Sequence, residues 1–597
     1  MFRGGRNFFM KTKPHYPLIV LALLLGLSRA GAVVAFTLSP SVTSNTYSGA
    51  ITLQISGLTN GEPVIVDHFV DLNNNGIVDS NDFLFGHYSM VDGQRSVIGG
   101  ITNLNVPGDL TGSNGAITAV LNDYAPQPEL PIGPHLFRLT SPTGHFPALT
   151  NTFTITNWPF SQTISGVVKS GSSNVPNAVI AVEYGENGGT AGGTVANSSG
   201  NYSFRAPPGN YAMIAFKSGY VLSGRVAVSL ATNVPVTTNI TLTAATRTLS
   251  GRLVDSIHTS LGLPGLLVVL QSAGGSFAVS PTDTNGNFSV AVTSDIWSVS
   301  LQESSGLYAL GYVDLSGGYH GPTYDTTTGS VSTAFVTVPK GTGLFYGTIK
   351  NNLDAPMPGV KFNGDLQNTN LYSSHGWSDT NGNYYAVTTT NNWGISLSSD
   401  NQIFHSYVAS TGTNTTFGSN QAVREDFLVE PTTGVITGNV SSATGPVIGL
   451  AMFGNASIGP DSFQSDAITD ANGNYSFAIF NGGWDVQANC GGGSDALDTL
   501  GFNCTSDQQV TVSSASTVVD FFVYPLGTAT MIDPVWIGPG QFGFTMNGTD
   551  GDNYYVQVST NLTSWSTITN FNLSGDSVYI EDDHATNSPR FYRSVKQ

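Results

Sequence analysis

Charged residues are scarce in this sequence. They make up 10% of its 597 residues, against about 25% in a typical globular protein. Helices depend on Ala, Leu, Glu, Lys and Arg, whereas this chain contains 70 glycines and is rich in turn-forming and β-forming residues. A helical bundle and a coiled coil are therefore excluded, and strands joined by turns are expected.

Basic residues are the rarest of the charged groups. The chain has 20 Lys and Arg against 39 Asp and Glu, a formal charge of −19. Five of the basic residues lie in the first 35 positions, which hold no acidic residue, so the remainder carries −24. Such a surface repels phosphate backbones and anionic lipids and attracts divalent cations. We therefore expect no nucleic-acid partner.

No apolar run is long enough to cross a bilayer. The longest, Leu18–Leu27, has ten residues, and a spanning helix needs about 20. It follows basic residues and precedes cleavage points after Ala30, Ala32 or Ala35, which predicts a secretory signal peptide over residues 1–35. Arg29 close behind the run leaves an uncleaved anchor as the alternative. We expect a secreted, extracellular or cell-surface protein without a transmembrane segment in the mature chain.

Cysteine is nearly absent. Cys490 and Cys504 are the two cysteines, too few for a zinc site of cysteines or a disulfide framework. In an oxidising compartment they can form a disulfide, worth about 3 kcal/mol through its effect on chain entropy. Two free thiols are the alternative.

Recognisable catalytic motifs are also missing. None of the ten histidines is followed three residues later by Glu, and the sequence has neither a Gly-x-Ser-x-Gly elbow nor a phosphate-binding P-loop. We therefore expect no enzyme activity. A pair of carboxylates for glycoside hydrolysis stays open, because their separation is a three-dimensional property.

The chain contains four internal repeats. Each copy has an opening glycine on an apolar strand, a glycine in an Asn-rich turn, and a large aromatic residue. The three positions are Gly166, Gly200 and Tyr211; Gly251, Gly286 and Trp297; Gly347, Gly382 and Trp393; Gly438, Gly473 and Trp484. The first spacing is 34, 35, 35 and 35 residues and the second is 11 every time, while the copies recur after 85, 96 and 91 residues. Such a period suits a small β-sandwich.

The turn chemistry agrees with a β-hairpin. Asn-Gly favours a type I′ turn, in which both central residues have positive φ. The aromatic residue begins an alternating strand, as in Trp297, Val299 and Leu301, so these three side chains share one face. We expect Trp297, Trp393 and Trp484 in cores rather than as platforms for a ligand.

The order of these elements resembles the carboxypeptidase regulatory-like domain, over residues 162–527. That resemblance implies a transthyretin-like sandwich, a fold also grouped with carbohydrate-binding-like folds. Ser199 in the first turn and Gly445-Pro446-Val447 in the fourth copy depart from the pattern. The predicted domains are repeat 1 (162–246), repeat 2 (247–343), repeat 3 (344–434) and repeat 4 (435–527).

Two further β-regions flank the repeats. Residues 36–157 alternate apolar and polar positions between turns, which predicts an immunoglobulin-like N-terminal sandwich. Residues 528–597 resemble the terminal β-modules of secreted bacterial surface proteins and are here called the C-terminal module. The predicted fold class is all-β, with small β-sandwiches arranged as beads on a string.

One loop has the ligand spacing of a calcium site. EF-hand loops place oxygen ligands at positions 1, 3, 5, 7, 9 and 12, with glycine at 6. The corresponding residues are Asp71, Asn73, Asn75, the carbonyl of Ile77, Asp79 and Asp82, with Gly76 at the turn. The loop resembles that of a dockerin, but it is single and follows a strand, so cohesin docking is not expected. We predict weak calcium binding, with a dissociation constant around 10⁻⁴ to 10⁻³ M. A solvated Asn-Gly turn is the alternative.

Tyrosines cluster in the tail of repeat 2. Sugar rings stack on exposed aromatic faces, so Tyr308, Tyr312, Tyr319 and Tyr324 are candidate ligand contacts, with packing of the loop as the alternative. We expect a non-catalytic binding or adhesion protein whose partner is a polysaccharide or another component of the cell envelope or extracellular matrix. A purely structural stalk and an unrecognised hydrolase are the alternatives. The sequence leaves the oligomeric state open.

Overall fold

The computed structural model describes most of the chain beyond the predicted signal peptide. Described are residues 33–45, 47, 49–121, 130–157, 160–184, 190–301, 305–315, 322–367, 369, 371–397, 407–491, 493–513, 515–525, 529–586 and 589–596. Residues 1–32 of the predicted signal peptide, and Tyr319, lie outside these residues. Regular structure in the described part is almost entirely β-strand, with one helix of five residues, α1 (Ser305–Ala309). No described helix has the length and apolar character needed to cross a membrane.

The N-terminal sandwich consists of two sheets packed face to face. Its strands are β1 (Ala35–Ser39), β2 (Val42–Ser44), β3 (Ile51–Ser56), β4 (Pro63–Val70), β5 (Phe83–Val91), β6 (Val97–Ile98), β7 (Ile101–Thr102), β8 (Ala116–Leu121), β9 (Gly133–Thr140) and β10 (Leu149–Thr156). The sheets have the orders β1-β3-β8 and β2-β10-β9-β4-β5, and β6 and β7 form a separate hairpin. Ile51, Leu53, Phe137 and Phe153 are fully buried in the core.

Repeats 1 and 2 share a sheet. Repeat 1 contains β11 (Thr163–Ser170), β12 (Ser173–Asn174), β13 (Val179–Tyr184), β14 (Thr190–Val195), β15 (Asn201–Arg205), β16 (Gly209–Phe216), β17 (Tyr220–Leu222), β18 (Val226–Leu230), β19 (Val236–Thr237) and β20 (Ile240–Ala244). Repeat 2 contains β21 (Arg247–Asp255), β22 (Leu267–Ser272), β23 (Phe277–Pro281), β24 (Asn287–Val292), β25 (Ile296–Ser300), α1, β26 (Asp314–Leu315), β27 (Thr323–Asp325) and β28 (Val331–Val338). The shared sheet runs β12-β11-β20-β17-β23-β22-β25-β27, and β14-β13-β16-β18 and β24-β21-β28 cover it.

Repeats 3 and 4 have two sheets each. Repeat 3 contains β29 (Gly343–Asn351), β30 (Lys361–Leu366), β31 (Tyr372–Trp377), β32 (Asn383–Thr388), β33 (Asn391–Leu397), β34 (Tyr407–Ala409), β35 (Thr413–Phe417), β36 (Ala422–Arg424) and β37 (Phe427–Pro431). Repeat 4 contains β38 (Gly434–Ser442), β39 (Gly445–Pro446), β40 (Ala451–Ile458), β41 (Asp461–Ile468), β42 (Asn474–Ile479), β43 (Gly482–Ala488), β44 (Gln508–Val512), β45 (Ala515–Val518) and β46 (Phe521–Val523). Both β29 and β38 begin one residue before the predicted domain limits, which remain predictions.

The C-terminal module is built from two sheets of three strands. Its strands are β47 (Thr530–Gly538), β48 (Gln541–Asn547), β49 (Asn553–Ser559), β50 (Ser566–Asn572), β51 (Ser577–Asp582) and β52 (Phe591–Lys596). The sheets have the orders β47-β48-β51 and β50-β49-β52. Phe544, Met546, Tyr554 and Val556 form the centre of its core. All described regions are therefore β-structures made of several separate sheets.

One pairing pattern recurs in all four repeats. The opening strand pairs antiparallel with the strand after the Asn-rich turn and parallel with the last strand of its own repeat. The antiparallel pairs are β11–β15, β21–β24, β29–β32 and β38–β42. The parallel pairs are β11 with β19 and β20, β21 with β28, β29 with β36 and β37, and β38 with β45 and β46. The opening strand is therefore the central strand of each repeat.

The opening glycine is required by a close approach of two backbones. At Gly347 a Cβ atom would overlap the carbonyl oxygen of Glu425, in the break between β36 and β37, which both pair in parallel with β29. Gly166, Gly251 and Gly438 face the carbonyls of Thr238, Ala334 and Val519 in the same way. In three copies the tyrosine after the turn donates its hydroxyl hydrogen to that same carbonyl: Tyr202, Tyr384 and Tyr475, at 2.5, 2.8 and 2.6 Å.

The predicted type I′ turn is wrong. The turn glycine of repeat 2, Gly286, has φ of 78°, but Asn285 before it does not have a positive φ. The carboxylate of Asp283 instead accepts the backbone N–H groups of Asn285 and Asn287, at 2.8 and 2.9 Å. These bonds hold a turn in which the glycine, and not the asparagine before it, has the left-handed backbone conformation.

The same turn occurs in the other three copies. Asp379 and Asp470 accept the equivalent N–H groups in repeats 3 and 4. In repeat 1 the side-chain oxygen of Asn197 takes this role, accepting from Ser199 and Asn201. The Ser199 departure therefore leaves the geometry of the turn intact.

The large aromatic residues lie in cores, as predicted. Trp297 and Trp393 are fully buried and Trp484 is 2% exposed. Tyr211, the equivalent residue of repeat 1, is also buried. Burial of this kind contributes about 1.5–3 kcal/mol for each large apolar side chain, so these four residues hold the repeats together rather than contact a ligand.

We predict that Gly251→Ala destabilises repeat 2 by about 1–3 kcal/mol, the usual cost of overpacking, because the new Cβ would overlap the Ala334 carbonyl. Hydrogen exchange of β21 and β28 would measure the loss. Gly329→Ala is the matched control, since a Cβ there meets no atom within 4 Å. Equal protection in both variants would contradict the close-approach argument.

Candidate functional sites

The predicted calcium loop lies between β4 and β5. Asp71 is 3% exposed, and its two carboxylate oxygens accept the backbone N–H groups of Asn75 and Gly76, at 3.1 and 2.8 Å. Asn74 and Gly76 have φ of 55° and 73°, which turns the chain sharply around this carboxylate. The first ligand position is therefore held in place by the loop backbone.

The remaining predicted ligands form a hydrogen-bonded loop. The side-chain amides of Asn73 and Asn75 donate to Asp79, at 3.1 and 2.7 Å, and the Ile77 N–H donates to the Asn75 side-chain oxygen at 2.8 Å. Asp82 accepts the Asp79 N–H through Oδ2 at 2.9 Å.

Asp82 has a carboxylate oxygen with an unmet capacity to accept. Its Oδ1 atom is buried and meets no donor with full hydrogen-bond geometry among the described residues, although the backbone N–H of Leu72 is close enough to lower the pKa of this carboxyl. Burial, and then the nearby charges of Asp71 and Asp79, raise the pKa of Asp82. A cation in the loop would offset both effects.

The carboxylates of this loop do not form a ready-made cluster. In the described ranges, no three His, Cys, Asp or Glu side chains lie close enough together to hold a metal ion. The amide nitrogens of Asn73 and Asn75 face Asp79, so both amides would have to rotate to present oxygen to a cation. The residue types fit calcium, and calcium binding stays a prediction.

Tyr308 and Tyr312 do not offer the exposed faces expected of ligand contacts. Each is 3% exposed. The Tyr308 hydroxyl lies 2.7 Å from Nδ1 of His375, and Tyr312 donates to Asp255 at 2.7 Å. Burial, and then the bond to Asp255, raise the pKa of Tyr312. A sugar cannot stack on these two rings as they stand.

The other two tyrosines stay candidates from the sequence. Tyr324 lies on β27, and its hydroxyl donates to the Phe335 carbonyl of the same repeat at 3.2 Å. Tyr319 lies outside the described residues.

Cys490 and Cys504 are joined by a disulfide, with their Cα atoms 5.5 Å apart. The bond closes the tail of repeat 4 between β43 and β44.

The N-terminal sandwich contacts three repeats. Ile132 donates its N–H to the Gly193 carbonyl of repeat 1 at 2.9 Å. At repeat 2, a Cβ on Gly265 would lie 3.0 Å from the backbone of Gly86, so these two segments of the backbone are in contact. At repeat 3, the Asn105 side chain donates to the Tyr385 carbonyl at 2.7 Å.

Repeats 1 and 2 are joined through their cores. β17 of repeat 1 lies between β20 and β23, where Leu222 pairs with Phe277. Phe277 of repeat 2 belongs to the core of repeat 1, and Val221 of repeat 1 belongs to the core of repeat 2. The boundary between these repeats is a continuous sheet rather than a free linker.

The later junctions use the variable tails. β26, from the tail of repeat 2, pairs antiparallel with β31 of repeat 3, beside the Tyr308–His375 contact. Val408, from the tail of repeat 3, is fully buried in the core of repeat 4. Asn503 of repeat 4 accepts a hydrogen bond from Thr549 of the C-terminal module at 3.0 Å.

A buried histidine pair spans β4 and β9 of the N-terminal sandwich. Nε2 of His68 lies 3.1 Å from Nδ1 of His135, and Nε2 of His135 lies 2.9 Å from the Pro131 carbonyl. A carbonyl only accepts, so His135 carries its proton on Nε2 and accepts from His68 through Nδ1. Both histidines are fully buried, and His68 stacks on Phe137 with ring centroids 4.1 Å apart.

Burial keeps the histidine pair neutral. It lowers the pKa of His135 to about 4, although the Pro131 carbonyl and Asp71 act in the opposite direction. Burial, followed by the charge of His135, also lowers the pKa of His68. The pair is missed by motif searches because its members are 67 residues apart.

A sequence model of one family matches part of the chain. Residues 163–243, in repeat 1, match the carboxypeptidase regulatory-like domain. The resemblance is supported there, and it remains a prediction for repeats 2 to 4. No curated protein matches the sequence.

Several solved structures align with long parts of the chain. The Bacillus anthracis TIE protein is 10% identical over 83% of this chain and 75% of its own, with a TM-score of 0.15. A streptococcal ancillary pilin is 12% identical over 47% of this chain and 99% of its own, with a TM-score of 0.16. A DUF3823 family protein from Bacteroides uniformis is 16% identical over 28% and 89%, with a TM-score of 0.13. At these TM-scores the alignments carry no argument about function.

We predict that the N-terminal sandwich loses about 2 kcal/mol of stability between pH 7 and pH 5. The His135 pKa of about 4 lies below the ordinary value near 6.5, so the unfolded chain binds more protons and stability falls as pH drops through this window. Hydrogen exchange of β4 and β9 with a calcium chelator present would measure the change. Carboxylates with lowered pKa values in this sandwich, such as Asp67 and Asp92, titrate at lower pH.

The double variant His68→Phe, His135→Leu serves as the comparison. It removes both titrating rings while keeping apolar volume, so its exchange rates should differ much less between pH 7 and pH 5. An equally steep loss in the variant would assign the effect to other groups.

Proposed function

We propose that this is a non-catalytic protein of the extracellular space or cell surface, in which coupled β-sandwiches form a stiff spacer and binding scaffold. The exported location rests on the predicted signal peptide. The matched carboxypeptidase regulatory-like segment supports a role other than catalysis, because its family is named for regulation. In this proposal, attachment and adhesion are functions of the four repeats acting together.

The observation that carries the proposal is the exchange of core residues between neighbouring repeats. Phe277, Val221 and Val408 are each buried in the core of an adjacent repeat. Such a side chain cannot leave the neighbouring core without exposing apolar surface to water, which costs about 25 cal/mol of free energy for each Å². Neighbouring sandwiches are therefore held in defined orientations, as a spacer requires and as a flexible linker does not provide.

We predict that Tyr308→Ala loosens the junction between repeats 2 and 3. The variant removes the ring that packs on His375 with centroids 4.7 Å apart. Ser332 of repeat 2 and Thr416 of repeat 3 are both exposed. Spin labels at these two positions would report the distance between the repeats by pulsed electron paramagnetic resonance. The parent protein should give a narrow distribution and the variant a broader one.

Tyr324→Ala is the matched control, because Tyr324 contacts its own repeat. A broad distribution in the parent protein would overturn the stiff spacer and favour independently moving domains.

A second proposal concerns calcium in the loop from Asp71 to Asp82. It is supported by the ligand spacing, by the backbone bonds that position Asp71, and by the buried Oδ1 of Asp82, which meets no donor with full hydrogen-bond geometry among the described residues. The oxygens of Asp71, Asn73, Asn75, Ile77, Asp79 and Asp82 would hold the ion, which would stiffen the link between β4 and β5.

We predict that isothermal titration of the full chain gives calcium binding with a dissociation constant around 10⁻⁴ to 10⁻³ M, and that Asp82→Asn weakens it at least tenfold. Asp283→Asn, in a hairpin turn of repeat 2, removes the same charge elsewhere and should leave calcium binding unchanged. No heat of binding at millimolar calcium would leave the solvated turn as the correct interpretation.

A further inference from the structure

The outer face of one sheet in repeat 4 carries a row of three amide side chains and one carboxylate. Along the order β41-β40-β43-β44, the register aligns Gln464 with Asn455, Asn455 with Asp485, and Asp485 with Gln509. The side chains that alternate with them, such as Phe463 and Trp484, point into the core. We call the row Gln464, Asn455, Asp485 and Gln509 the amide row.

The amide row lies along an open groove. Two open cavities, of about 730 and 680 Å³, lie along this face. Thr411 of repeat 3 lines the first, and Asn547 of the C-terminal module lines the second. Both volumes fall in the range of small-molecule sites, about 300–1,000 Å³. The neighbouring domains therefore bound the groove in part, and the disulfide loop of repeat 4, through Cys490 and Cys504, lines the second cavity as well.

Asp485 supplies a second and independent observation. Its Oδ1 atom is buried beside the first cavity and has no hydrogen-bond partner among the described residues. A buried acceptor without a donor costs roughly 1–3 kcal/mol. A ligand donor would recover that free energy once the carboxylate turns towards the cavity that Asp485 lines.

The lining excludes anions and favours neutral hydroxyl groups. Among the residues that the structure describes, neither cavity is lined by Lys, Arg or His, so phosphate, sulfate and uronate groups find no counter-charge there. The amides of Asn455, Gln464 and Gln509 both donate and accept hydrogen bonds, as sugar hydroxyls do. The carboxylates of Asp485, Asp507 and Asp576 also line the two cavities, and they accept hydrogen bonds from sugar hydroxyls. Phe453, half-buried beside the second cavity, adds an apolar surface for the face of a sugar ring.

We propose that this groove of repeat 4 binds a neutral oligosaccharide, with Asp485 and the amide row hydrogen-bonding to its hydroxyl groups. The proposal deepens the scaffold role and rests on it, because repeat 3 and the C-terminal module bound the groove in part. It also moves the expected carbohydrate contact from the tail tyrosines of repeat 2 to a sheet face of repeat 4.

The test is binding of soluble hexasaccharides to the full chain by isothermal titration. The neutral probes are cello-, xylo- and manno-oligosaccharides, and the acidic probe is an oligogalacturonide. We expect at least one neutral probe to bind and the acidic probe not to bind. Asp485→Asn and Gln509→Ala should each weaken binding at least tenfold, whereas Asp365→Asn, on the exposed face of the corresponding sheet in repeat 3, should not.

Gly483→Ile blocks the groove without removing a contact. A Cβ at Gly483 meets no atom within 4 Å, and the residue lines the first cavity, so a bulky side chain should fill the groove while the fold is kept. Loss of binding in this variant, with unchanged hydrogen exchange, would support the site.

Three results would overturn the proposal: no binding of any neutral probe, tighter binding of the acidic probe, or binding that survives Asp485→Asn and Gly483→Ile. The distance measurement between repeats 2 and 3 separates this failure from failure of the scaffold. A narrow distribution without sugar binding would retain the spacer and remove the groove as its ligand site.

Discussion

The contact on which each repeat depends is the close approach of the opening strand to the last strand, at a glycine. A side chain at Gly166, Gly347 or Gly438 would overlap a backbone carbonyl. The tyrosine on the strand after the Asn-rich turn donates to that same carbonyl. The carbonyl of each turn glycine also accepts an N–H from the opening strand, two residues beyond the opening glycine, at 2.7–2.9 Å. Three strands are thus held in one register, which explains why the spacing of 34 or 35 residues between the two glycines cannot drift.

Because the sandwich itself is constrained, variation in length is confined to the tails, and the structure uses those tails to join domains. The tail of repeat 2 supplies β26 to the next sheet and Tyr308 to the junction, while Val408 from the tail of repeat 3 completes the core of repeat 4. Tyr308 is buried between repeats 2 and 3 for this reason, whereas Tyr312 and Tyr324 bond within repeat 2. The abundance of aromatic residues next to glycine is a property of packing and does not by itself indicate a surface for ligands.

The sequence predicts the local features well and the contacts between distant segments poorly. Strand alternation and the repeat were enough to place Trp297, Trp393 and Trp484 in cores, because both signals lie within one hairpin. The predicted turn type was wrong because hydrogen bonds to the side chain of Asp283 or Asn197, rather than the Asn-Gly pair, decide the turn conformation. Ligand spacing located the loop at Asp71, but not the orientation of the Asn73 and Asn75 amides.

Other features have no signature in a single sequence. The His68–His135 pair depends on two strands that meet only after folding. The amide row depends on the register of four strands, and its cavities depend in part on neighbouring domains. Such sites arise from the assembly of elements that are each ordinary β-sequence.

The parallel pairing of first and last strands has a mechanical consequence. In each repeat the chain enters along the opening strand and leaves along the strand beside it in the same direction. Tension applied to the two ends of a repeat therefore pulls these neighbours past each other, and all the hydrogen bonds between them are loaded together in shear instead of being opened one after another. A chain of four such repeats is built to resist stretching along its length, with the glycine contact at the point where the load passes from strand to strand.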